Sequence, residues 1–191
     1  LQLISVSVLY AVTLSSVTPL WNNATGSSGA PTCLVSTSAG AEQQLRFGDN
    51  DFNAGCPADP TVQSGIGFEG SAGATFSSGQ PFVLGELTHY NNPIFASSLL
   101  VAADLNLSIV LSDPATTQTL TTTITLDETA NSLTTCPYGD TPPCADRLSL
   151  TRQTVPFTVG GQNYQLEILG LIQGQMGTCS YSESQINWSY I

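Results

Sequence analysis

The stretch LLVAADLNLSIVLSDPATTQTLTTTITL, Leu99 to Leu126, decides the class of fold. Apolar side chains recur at Leu105, Leu107, Ile109 and Leu111, then at Leu120 and Ile124 within a Thr-rich, β-branched run. Alternation of period two is the pattern of strands that bury one face. Between the runs, SDPATT carries the Asp-Pro signal of a turn, so the stretch reads as a hairpin or a longer crossing.

The same pattern extends in both directions. Leu148–Thr151, Pro156–Val159 and Tyr164–Leu171 read as strands, with Gly160-Gly161 as a tight turn between the last two. Gln43–Phe47 and Gln63–Glu69 follow a Gly/Ser-rich loop at Asn22–Pro31, and a final strand is expected near Gln185–Ile191. No helical window with caps is found. An all-β fold follows, an antiparallel β-sandwich of jelly-roll type.

The N-terminal stretch alternates as well. Ile4, Val6, Val8, Tyr10, Val12 and Leu14 lie on one side, with Ser5, Ser7 and Thr13 on the other. Such a strand is longer than the ordinary five or six residues, roughly. It can serve as the first strand of its own sandwich or insert into a neighbour's sheet, and the pattern admits both. On the second use, residues 1–20 form an inter-subunit segment ahead of a single domain at 21–191. Polar interruptions and the lack of a basic leader distinguish this stretch from a signal peptide or membrane span. The chain opens on Leu1 rather than Met, as a processed or partial chain would. It ends at Ile191 without a hydrophobic tail, sorting motif or stalk, so whatever holds the protein at a surface is expected not to be covalently visible in this sequence.

Charged residues make up 9% of the chain, against a usual share of about 25%, so Ser, Thr, Asn and Gln must supply much of the solubility. The cations are Arg46, Arg147 and Arg152, and the net charge is -11. That balance repels nucleic acid and anionic membranes. Three sequons, headed by Asn23, Asn106 and Asn187, offer acceptors for glycans.

Five cysteines are spaced too irregularly for a zinc framework and point to disulfides in an oxidising compartment. CPYGDTPPC closes a short, proline-stiffened loop, which pairs Cys136 with Cys144. Cys33 with Cys56 is the second expected pair, leaving Cys179 as a thiol, a member of another pairing or a link to another subunit.

The chemistry-bearing residues gather in Gly65–Ile94, which opens GIGFEG and closes PFVLGELTHYNNPI. Glu86, the single histidine His89, and Asn91 lie beside the apolar Phe82, Leu84 and Leu87. They are expected to form a buried, hydrogen-bonded corner at a strand end, in preference to a metal or catalytic cluster. DNDFNAG places Asp49, Asp51 and Asn53 at alternate positions, but the late Gly and the missing twelfth-position Glu exclude an EF-hand. A looser calcium site competes there with an ordinary solvated turn. No nucleophile elbow, P-loop, HExxH or dinucleotide fingerprint is present. Glu69, Glu86, Asp104, Glu128 and Glu167 are glycosidase carboxylates by type alone, so no enzyme and no cofactor beyond calcium is expected. Glu128 with Asn131 reads as a loop brace ahead of Cys136.

In order along the chain, LRFG (Leu45–Gly48), QSGIGFEG (Gln63–Gly70), FVLGELTHYNNPI, LDETAN (Leu126–Asn131), the Cys136 and Cys144 pair followed by Asp146, and GGQNYQLEILGL (Gly160–Leu171) resemble the choice-of-anchor K domain. The resemblance covers roughly Trp21 to the C-terminus by the order of these motifs. Phe47 stands where that family usually has Trp, and Leu171 where it often has Phe. The resemblance implies an extracellular module of microbial surfaces. The expected function is a secreted or cell-surface structural protein that self-associates into a homopolymer, a filament or surface layer, through β-strand contacts. An adhesin or carbohydrate-binding module of the same fold is the alternative.

Overall fold

A computed structural model describes residues 11–51, 55–130, 132–139, 141, 142, 144–171, 189 and 190, the last two by backbone only. Among them are twelve strands and one 3-10 turn, arranged in antiparallel sheets. The all-β sandwich expected from the alternation is what forms. No helix among the described residues is long and apolar enough to cross a membrane.

The larger sheet is built on three long strands. These are β1 (Ala11–Gly26), β7 (Leu100–Asp113) and β8 (Ala115–Asp127). β7 and β8 form the hairpin anticipated at Asp113-Pro114, where the peptide bond is cis. Alternation buries Ala103, Leu105, Leu107, Ile109 and Leu111 from β7, and Leu120, Thr122, Ile124 and Leu126 from β8. β9 (Arg147–Leu150) and β12 (Ser189–Tyr190) extend the sheet on one side, and β5 (Ala74–Ser77) on the other, in the order β12-β9-β8-β7-β1-β5.

The smaller sheet has the order β2-β3-β4-β6, comprising Val35–Ala39, Glu42–Phe47, Ser64–Gly70 and Gly85–Tyr90. Leu45, Phe47, Ile66 and Phe68 meet Trp21 and the β7 row in one core, and the Trp21 indole donates to the Gln43 carbonyl at 2.8 Å. A separate hairpin joins β10 (Thr154–Val159) to β11 (Gln162–Glu167). Its turn is Gly160-Gly161, both with positive φ (58° and 79°), the requirement of a two-residue turn that keeps strand twist.

β1 corrects the expected domain division. It runs through residue 20 without a break, pairing with β7 along its length and with β5 at Ala11–Leu14. Val12 and Leu14, expected among the inter-subunit side chains, lie in this chain's own core. Past Leu14 the register shifts, and the buried row moves from even to odd positions at Val17, Pro19 and Trp21, the effect of a bulge. Ile4, Val6, Val8 and Tyr10 lie outside the described residues. So do Asn53, Cys179 and Asn187.

Both expected disulfides form, Cys33–Cys56 and Cys136–Cys144.

Candidate functional site

β6 ends in two consecutive residues, His89 and Tyr90, that point to opposite faces of the smaller sheet because strand side chains alternate. Tyr90 lies opposite Gly65 and Thr88 opposite Gly67, whereas His89 lies opposite Ile66 on the core face. Each face carries a polar cluster.

On the outer face, Glu42, Gln44 and Arg46 occupy alternate positions of β3 and are all buried. Arg46 Nε donates to Gln44 Oε1 at 3.0 Å and Nη1 to the Gln63 carbonyl at 3.1 Å, while its guanidinium stacks 3.3 Å from the centre of the Tyr90 ring. The Gln44 amide and the Tyr90 hydroxyl both donate to Glu42 Oε2. Long side chains can lie flat across β4 because Gly65 and Gly67 have none. A Cβ on Gly65 would stand 2.2 Å from the Leu45 carbonyl oxygen, and one on Gly67 2.1 Å from Glu42 Oε1. Burial pushes the Arg46 guanidinium below its usual value, against the pull of Tyr90 and Glu42. Burial, then the hydrogen bond to Glu42 and its charge, pushes the Tyr90 hydroxyl up to about 12.

On the core face, His89 meets two carboxylates from the other sheet. Glu128 follows the end of β8 and Asp146 precedes β9. Nε2 of His89 lies 3.4 Å from Glu128 Oε1 and 3.9 Å from Asp146 Oδ2, and the His89 side chain is 1% exposed. Asn91 donates to Asp146 Oδ2 at 2.8 Å, and the Thr129 amide to Oδ1 at 2.7 Å. The Thr129 hydroxyl lies 2.9 Å from the Cys144 carbonyl, which ties this corner to the disulfide loop. Ser64 Oγ stands 2.7 Å from the Tyr90 carbonyl and 3.2 Å from Glu128 Oε1, with one proton to give to one of them. Burial pushes the Asp146 carboxyl above its usual range. The Thr129 amide opposes that, the Glu128 charge adds to it, and the Thr129 hydroxyl and His89 pull back.

The corner expected from Glu86, His89 and Asn91 is therefore built differently. His89 and Asn91 come together through Asp146. Glu86 faces the other way, opposite Glu69, because residues three apart on a strand lie on opposite faces. Glu128, expected as a loop brace, supplies the carboxylate instead. Asp146 had no role in the reading of individual residues, yet parity marks both acids. Glu128 continues the even row of Leu120, Ile124 and Leu126, and Asp146 the row of Leu148 and Leu150.

The other candidates stand apart. Asp49 is buried and its carboxylate accepts the Asp51 amide at 3.0 Å, which is a turn. Among the described residues, the one group of three or more His, Cys, Asp or Glu ligand atoms close enough to share a cation is His89, Glu128 and Asp146. Asp104 accepts from Asn23 at 2.8 Å and from Thr123 at 2.7 Å, and these bonds hold its carboxyl below the usual range. Asn106 lies mid-strand in β7 and accepts from Thr121. Glu167 is exposed on β11. Against known protein families and curated proteins, no match to the chain is found.

Proposed function

We propose that this protein is an extracellular structural subunit that assembles into a homopolymer, with residues 4–10 of one copy adding a strand to the β2 edge of the next. The observation that supports it most is the character of that edge. Among the described residues, β2 pairs with β3 alone. Its sequence, Val-Ser-Thr-Ser-Ala, has none of the charges, prolines or bulges with which edge strands are ordinarily protected. Leu34 and Val35, 38% and 37% exposed, lie at its start. Ile4, Val6, Val8 and Tyr10 have the alternation of a strand that fills such an edge, and each apolar side chain contributes roughly 1.5 to 3 kcal/mol when buried. A head-to-tail contact of this kind continues into a filament unless its rotation closes. Two disulfides suit an oxidising, exported setting, and the motif order shared with choice-of-anchor K modules favours a microbial surface.

The test is removal of residues 1–10, which leaves β1 whole. The truncated chain should be a folded monomer by sedimentation and should capture the added Leu1–Tyr10 peptide. Lysines at Ser36 and Ser38 should abolish both capture and polymers. Polymers that survive either change, seen by negative-stain microscopy, overturn the reading. A wild-type chain that stays monomeric and binds carbohydrate favours an adhesin.

A further inference from the structure

We infer that His89, Glu128 and Asp146 bind a first-row divalent transition cation of the zinc class, which clamps the end of β6 to the ends of β8 and β9. Each residue offers one ligand atom, and these atoms lie within 4.8 Å of one another. The separations of 3.4 Å and 3.9 Å from His89 Nε2 exceed the roughly 2.7–3.2 Å of a direct N–H···O bond. The shorter one suits a shared ion, since ligands held about 2.0–2.2 Å from a metal stand about 3.3–3.6 Å apart at the tetrahedral angle, and the longer one fits the same ion with that angle opened to about 125°.

A second observation is the burial around the ring: the Glu128 and Asp146 side chains are 11% and 2% exposed, and two carboxylates taken out of water side by side are costly without a cation between them. Nδ1 of His89 is the one buried side-chain nitrogen or oxygen without a hydrogen-bond partner among the described residues. That leaves the placement of the ring to Nε2, the atom that faces both carboxylates, and an ion held there does not reach Nδ1. The 99% burial of the ring adds to its cost as a purely structural residue. The imidazole selects the class of ion. Two carboxylates alone would suit calcium or magnesium, whereas a nitrogen ligand favours zinc and its neighbours. Outer partners are in place, with Asn91 and Thr129 orienting Asp146.

The experiment uses the full chain, stripped with EDTA and titrated with zinc chloride. One equivalent should bind by calorimetry and raise the melting temperature. The chain has a single histidine, so the 15N resonances of its imidazole report ligation in the wild-type protein and must shift on zinc addition. Glu128→Gln and His89→Gln should weaken binding by more than the roughly 10–100-fold that loss of an outer partner costs, and Asn91→Ala by about that amount. Unmoved imidazole resonances at one equivalent overturn the assignment whether or not a variant folds. So does unchanged affinity in a folded Glu128→Gln protein, or magnesium competing on equal terms.

Discussion

Two polar clusters lie back to back at the end of β6, one on each face of the smaller sheet, and they differ in closure. Around Arg46 every group is answered. The cation stacks on Tyr90 and bonds to Gln44, and Gln44 and Tyr90 both serve Glu42. Around His89 the carboxylates are supported from outside, yet the ring they face keeps a nitrogen without a partner. A closed network is what stability requires of buried polar groups. The open one sets two buried carboxylates against Nε2 of a ring that nothing holds at Nδ1, and that is why the cation inference rests on His89 rather than on the equally buried Arg46.

The largest expected effect should come from opening the closed side. Arg46→Met removes the cation from a network that still contains Glu42, and should cost about 3–5 kcal/mol in urea unfolding. A loss below about 1 kcal/mol would mean that this network stabilises little. Gly65→Ala tests why the cluster fits at all. The new Cβ meets backbone at 2.2 Å, so strands β3 and β4 must separate, at a cost of about 1–3 kcal/mol. An unchanged denaturation midpoint would show that the glycine is not needed for the close approach.

The pH response should also come from the closed side. Folding raises the Tyr90 hydroxyl from 10.0 to about 12, so the folded chain keeps a proton that the unfolded chain releases. This contribution to stability is intact below pH 10 and is lost as pH rises through about 12. Tyr90 is partly solvated, so the amount is on the order of 1 kcal/mol after screening. Tyr90→Phe should flatten that part of the profile, and an unaltered slope between pH 10 and 12 would assign it to other groups. The smallest effect belongs to the open side. In metal-stripped protein His89→Gln should cost only about 1 kcal/mol, because the bonds lost are long and one nitrogen already has no partner. A loss as large as that of Arg46→Met would show that the core-face cluster is structural in its own right.

Much of the fold was legible because alternation is local. The runs at 105–111 and 120–126, the Gly160-Gly161 turn and the short Cys136–Cys144 loop each express a rule that acts over a few residues. β2 and β5 escaped for the same reason. Val35–Ala39 is exposed but for the half-buried Thr37, so no apolar row marked it, and β5 exists by pairing with β1. In the site, His89 and Asn91 were recognisable from their density beside an apolar run. Glu86 misled because proximity in sequence was taken without the parity of the strand.

The sequence by itself determined the all-β class, the main strands, both disulfides and the burial of His89, since each depends on backbone periodicity, local loop closure or the apolar run beside a polar group. Only the tertiary structure decided that β1 belongs to this chain's own core from Ala11 onward. It alone brought His89 of one sheet against Glu128 and Asp146 of the other. Those contacts join residues 39 and more positions apart. A period of two says which face a side chain takes, but the face it meets depends on how whole sheets pack, and that is settled by the buried surface of the entire core.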